Sequence, residues 1–130
     1  MLVKLRPGDA EVSIYLTNEA RGKGMGVSIA DVNNDNRPDI FIVNDTERNF
    51  LFINQGNGTF REQGAIYGVS FNDDGVAVNG MGSDAKDYNN DGFLDLYFVT
   101  GAWTKNVSDN EGRDLRGKLS NRLYRNNGDG

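Results

Sequence analysis

The chain has 130 residues, 19 acidic against 14 basic for a net charge of −5, and neither cysteine nor histidine. At this length it forms one domain with a modest core or part of a larger one, and the missing residues exclude disulfides, thiolate metal sites, cysteine nucleophiles and histidine bases. The acidic balance disfavours nucleic acid, and no apolar run nears the ~20 residues that insertion into a membrane as a helix requires.

In chain order, "MLVKLRPGDAEV" breaks at Arg6-Pro7-Gly8 and carries no secretory apolar segment. The stretch "EVSIYLTNEA" that follows reads as a short strand. At 22–26, "GKGMG" invites a phosphate-loop reading, but no Lys-Ser or Lys-Thr pair follows, so the glycines fit close packing where a strand enters. Four strands are then expected. "GVSIADV" (26–32) and "DIFIVND" (39–45) flank an acidic loop, "RNFLFINQ" (48–55) follows a short turn, and "TFREQGAI" (59–66) follows Gly56-Asn57-Gly58. Phe50 and Phe52 alternate with Leu51 and Ile53, so both faces of that strand are apolar, as where sheets stack.

The pattern then repeats. "GMGVSIADVNNDNRPDIFIVN" from Gly24 aligns without a gap on "GMGSDAKDYNNDGFLDLYFVT" from Gly80, a period of 56 residues. "NFLFINQGNG" from Asn49 recurs as "NRLYRNNGDG" from Asn121, an offset of 72, so the second copy holds 16 extra residues within "GAWTKNVSDNEGRDLRGKLS". That insertion, 101–120, is expected to be a surface loop, with Trp103 either packed over the blade edge or offered to a partner among Lys105, Arg113, Arg116 and Lys118. "SFNDDGVAVN" (70–79) accounts for a period longer than usual for a four-stranded unit.

The expected fold is all-β, with β-propeller blades of four antiparallel strands, about two of them present. Residues 1–23 are expected to be the remnant of a preceding blade or an N-terminal strand, 24–79 a blade with an acidic loop, and 80–130 a second blade with its loop and insertion, cut before its last strand. Two blades cannot close a ring, so the chain is read as part of a larger protein.

Both loops, "DVNNDNRPD" (31–39) and "DYNNDGFLD" (87–95), fit D-x-N-x-D-x-x-x-D. Like charges crowded this closely repel unless a cation lies among them. Side-chain oxygens at positions one, three, five and nine, with a main-chain carbonyl at seven, suit Ca²⁺, which takes 6–8 oxygen ligands. The expected ligands are Asp31, Asn33, Asp35, the Arg37 carbonyl and Asp39, then Asp87, Asn89, Asp91, the Phe93 carbonyl and Asp95. Position six needs a sharp turn, which Gly92 gives freely and Asn36 gives best among other residues.

Without metal, the same residues form an Asx-rich turn between strands. Magnesium demands a stricter octahedron, and zinc lacks nitrogen and sulfur ligands here. An EF-hand needs a bidentate Glu at position twelve and a following helix, but Ile42 and Phe98 stand there, in strand-forming runs. The aspartate pairs could be cast as a glycosidase acid and base, although the calcium pattern explains their spacing better. Three glycosylation sequons, at Asn44, Asn57 and Asn106, carry little weight alone. No catalytic residues are expected.

With these motifs in view, the repeat resembles the FG-GAP/VCBS family, whose calcium-loop blades build propellers of the integrin α-subunit type. "GMGVSIADVNNDNRPDIFIVND", "NFLFINQGNGTF", "GMGSDAKDYNNDGFLDLYFVT" and "NRLYRNNGDG" resemble its ASPIC/UnbV and cartilage-acidic-protein group, over about residues 22–130. The resemblance implies a secreted, surface or periplasmic propeller with calcium in the strand-to-strand loops, at the ligand positions given above. Asn36 departs from the usual glycine, which implies a weaker first site. The function implied is a binding or scaffold module meeting a protein or glycan through blade loops and joined to further blades. A non-catalytic part of a larger secreted enzyme is the alternative.

Overall fold

The computed structural model describes residues 2–3, 12–13, 22–77, 79–101 and 121–128. The insertion expected at 101–120, with Trp103 and the Asn106 sequon, lies outside them except for Gly101, as does most of the stretch 1–21. Among the described residues nine strands run in chain order: β1 (Leu2–Val3), β2 (Val12–Ser13), β3 (Gly24–Ala30), β4 (Asp39–Asn44), β5 (Phe50–Asn54), β6 (Phe60–Glu62), β7 (Gly80–Lys86), β8 (Asp95–Thr100) and β9 (Arg122–Tyr124). Among the described residues there is no helix.

The strands form three antiparallel sheets. β1 pairs with β2, β3 to β6 form a four-stranded meander, and β7 to β9 form a three-stranded one. The all-β architecture of blade-like meanders is the one the repeat predicts. The two larger sheets share their register: Ala30 pairs with Asp39 and Lys86 with Asp95, and each ladder shifts at its glycines, between Gly24 and Gly26 or Gly80 and Gly82. Strand β6 stops at Glu62, short of the expected residue 66. Ile66 and Tyr67 donate their amides to the Gln63 carbonyl instead, closing a tight turn over 64–68.

Alternation in β4 and β5 gives each face of the first sheet its own core. Ile40, Ile42, Phe50 and Phe52 cluster on one face. On the other, Phe41, Val43, Leu51 and Ile53 pack with Leu96 and Phe98 of the second sheet. Phe41 and Phe98 meet across the junction with ring centroids 6.3 Å apart, and Tyr124 stacks on Phe98 at 5.7 Å. Burial of such rings removes 150–250 Å² of surface each and dominates the energetics of a contact of this kind.

Strands β3 and β7 run closest together. A Cβ on Gly26 would lie 2.7 Å from the Gly82 Cα and 2.9 Å from the Ser83 amide nitrogen, so the backbones touch only because that residue has no side chain. This is the role of Gly26, the last glycine of "GKGMG", while Gly22 lies tightly against the Asn44 and Phe50 side chains. Beside them the Ser28 hydroxyl meets the Ser83 hydroxyl at 2.7 Å. On the other side of β3, Met25, Val27 and Ile29 are each more than 40% exposed and alternate with buried Ser28 and Ala30 further along the strand.

Candidate functional site

Each acidic loop joins the first two strands of its sheet, β3 to β4 and β7 to β8. Two residues in each take the left-handed conformation: Asn34 (φ 58°) and Asn36 (φ 62°), then Asn90 (φ 59°) and Gly92 (φ 92°). Position six was legible because glycine or asparagine is needed there. Position four is the same device, and the shared Asn34 and Asn90 were its signal.

With those bends in place the side chains fold onto the loop's own amides. Asp31 accepts from the amides of Asp35 (3.0 Å) and Asn36 (2.7 Å), while Asn33 Oδ1 also accepts from Asp35 (3.2 Å). The second loop copies this closely. Asp87 accepts from Asp91 (3.1 Å) and Gly92 (2.9 Å), and Asn89 accepts from Asp91 (3.1 Å). Asp35 accepts from the Arg37 amide and Asp91 from the Phe93 amide, at 2.9 and 3.0 Å. Oxygens from positions one and three thus converge on one amide, that of position five, in both loops.

Position nine is different. Asp39 is fully buried and accepts two backbone amides, Val32 at 3.0 Å and Asn54 at 2.8 Å. Asp95, 1% exposed, takes Tyr88 at 3.0 Å and Asn126 at 2.8 Å. Each carboxylate therefore ties the start of its loop to the exit of the third strand, at the last residue of β5 or two residues past β9. Burial pushes the Asp39 carboxyl above its ordinary value, and the neighbouring Asp35 and Asp31 charges add to this against the pull of the two amides. Asp91 is held below its ordinary value, first by the Phe93 amide and then by Asn89 and Arg125, with burial opposing.

Two arginines enter the site. The guanidinium of Arg37 binds the Asp35 carboxylate and donates to the Asn54 carbonyl at 3.1 Å. Arg125, just beyond β9, stands 3.6 Å from Asp91. The sequence pattern gave Arg37 only a main-chain oxygen to contribute, but its side chain partly neutralises the first loop. Phe93, at the matching position, instead sets its ring against Gly128.

The donor chemistry fits a hard cation: three carboxylates and one amide oxygen per loop, without nitrogen or sulfur. Among the described residues, no group of three acidic side chains is drawn together tightly enough to hold an ion as the loops stand. Asp31, Asn33 and Asp35, and Asp87, Asn89 and Asp91, are the residues that would hold it, with Asp39 and Asp95 closing the loop behind them. Of the sequons, Asn44 is 1% exposed and donates its side-chain amide to the Arg48 carbonyl, so it is not presented for modification.

An FG-GAP-like repeat model matches residues 31–98, from the first aspartate of the first loop to Phe98 of β8. This chain belongs to the FG-GAP-like repeat family. Cartilage acidic protein 1 of Mus musculus is 41% identical over 80 residues, which cover 62% of this chain and 12% of that protein. The proteins of the same name from Homo sapiens and Xenopus tropicalis are 39% and 38% identical over 80 residues, again 62% of this chain and 11% of theirs. The matched part is thus a small piece of these relatives' length. Among the described residues no helix is long and apolar enough to cross a membrane.

Proposed function

We propose that this chain is a calcium-binding FG-GAP section of an extracellular propeller, serving as a scaffold that presents its loops to a protein or glycan. The observation that carries the reading is the shared geometry of the two loops. Five of nine residues, two left-handed bends and the same set of amide-to-carboxylate bonds recur at one period. A bound calcium ion would supply charge neutralisation at each loop. The residues do the rest: Asp31 and Asp87 hold positions five and six in their bends, and Asp39 and Asp95 fix the corner to the third strand. The extracellular setting is supported by relatives named for cartilage. The exposed stripe of Met25, Val27 and Ile29 supports a neighbouring blade against β3. The position-nine acids, buried and engaged by amides, are poorly placed for acid–base chemistry, which favours a non-catalytic role.

The test is thermal unfolding at increasing calcium. Extracellular sites of this type have Kd of about 10⁻⁴–10⁻³ M. At a tenfold excess over Kd, each site would add about 1.4 kcal/mol to stability by mass action. The melting temperature should rise with calcium, fall with EDTA, and lose its calcium dependence in the Asp31→Ala, Asp87→Ala double variant. A melting temperature indifferent to both additions overturns the assignment. Binding to arrayed neutral and sulfated glycans, in calcium and in EDTA, then separates a glycan partner from a protein one.

A further inference from the structure

The two loops are not independent. Asn126, two residues past β9, donates its backbone amide to Asp95 Oδ1 (2.8 Å). Its side-chain amide donates to the Leu94 carbonyl (3.3 Å) and, across the junction between sheets, to the Val32 carbonyl in the first loop (2.7 Å). Val32 in turn donates its amide to Asp39 Oδ2 (3.0 Å). An unbroken series of bonds therefore joins the two position-nine aspartates: Asp95, Asn126, Val32, Asp39. Val32 is 7% exposed and Asp39 fully buried, so water competes little along the first-loop end of the series.

The same residue one sheet earlier is Asn54. It donates its backbone amide to Asp39 (2.8 Å) and its side chain to the Pro38 carbonyl (3.2 Å), and its Oδ1 accepts from Gly56 as Asn126 Oδ1 accepts from Gly128. The asparagine is part of the repeat, and at Asn126 it adds the bond between neighbours.

We infer that Asn126 is a positioning residue that couples the two acidic loops, so that the state of one sets the order and cation affinity of the other. The affinity part rests on the calcium reading above; the coupling of order does not. Ordering Asp95 fixes the Asn126 backbone, which aims the side chain at the Val32 carbonyl. Val32, with the N–H of the peptide before it and the C=O of the peptide after it both held, then sets the directions of Asp31 and Asn33, its chain neighbours. Coupling of this kind is reciprocal and typically changes affinity by about fivefold or more.

The test follows each loop separately by amide NMR, in two double-mutant cycles on the full chain. In calcium titrations, Asp87→Asn should raise the half-saturation concentration of the first loop at least about fivefold. With Asn126→Ala also present, the same change should move it less than about twofold. In calcium-free protein, Asp95→Asn should speed hydrogen exchange at the Val32 amide at least about fivefold, again with less than about a twofold effect once Asn126→Ala is present. A merely structural role for Asn126 would lower protection without changing either ratio. Ratios that are the same with and without the Asn126 side chain, in either cycle, overturn the coupling. If neither loop titrates with calcium but the calcium-free cycle behaves as described, the coupling stands and the calcium reading falls. Asn126→Ser, whose short hydroxyl can still accept from Gly128 without reaching the Val32 carbonyl, replaces Asn126→Ala should the latter not fold.

Discussion

Replacing Asp39 with asparagine preserves the side chain's size while removing one of its two acceptors. In the native protein both carboxylate oxygens are used, by Val32 at 3.0 Å and Asn54 at 2.8 Å, with no exposure to solvent. The asparagine oxygen can serve only one of these amides, and its NH₂ group would face the other donor. A hydrogen bond to a charged acceptor contributes about 1.5–3 kcal/mol, and a buried amide left without a partner costs about 1–3 kcal/mol. Burial already disfavours the Asp39 charge, so losing that charge returns part of the loss. The net cost expected for Asp39→Asn is about 2–4 kcal/mol, a large share of the 5–15 kcal/mol typical of a domain. Urea unfolding followed by circular dichroism measures it, in EDTA and again in millimolar calcium. The loss should be present in full in EDTA, since the clamp on Val32 and Asn54 acts without metal. If the variant matches wild type within about 0.5 kcal/mol in EDTA, Asp39 is no clamp, and any contribution it makes comes through a cation alone.

The junction between sheets makes two further predictions. Gly26→Ala would place a methyl group 2.7 Å from the Gly82 Cα, where only backbone can yield. Overpacking there should cost about 1–3 kcal/mol in denaturant unfolding, and a cost near zero would mean that the two strands are not in contact. Phe98→Ala removes a fully buried ring that meets Phe41 of the first sheet and Tyr124 of its own. The expected loss is about 3–5 kcal/mol. Because that ring belongs to one shared core, both sheets should still unfold in a single transition, which a calorimetric scan resolves.

Much of the fold was legible because it depends on local spacing. Alternating apolar residues at 50–53, Asn-Gly turns and the 56-residue period each act within the reach of one or two strands. Strand ends were less legible. The Gly64–Gly68 turn ended β6 early, through bonds to the Gln63 carbonyl that no alternation pattern encodes. In the loops, residue types announced oxygen donors, and Asn36 and Gly92 announced the bend. The pattern gave equal roles to positions one, three, five and nine, because spacing along a chain does not say which carboxylate faces inward. Asn54 and Asn126 lay in plain view within "NFLFINQGNG" and "NRLYRNNGDG", but there they read only as turn residues.

The sequence by itself determined the strand-rich repeat, the two acidic loops and their bends, since these follow from backbone preferences over a few neighbouring residues. Tertiary structure alone decided that the position-nine acids are buried beneath their own third strands, that Arg125 leans on Asp91, and that Asn126 reaches Val32. The last of these depends on how one sheet stacks on the next. Stacking is set by shape and burial summed over both sheets, above all by Gly26 against Gly82 and Phe41 against Phe98. No short stretch of chain carries that information, and so the bond from Asn126 to Val32, between residues 94 positions apart, appears only when the sheets are packed.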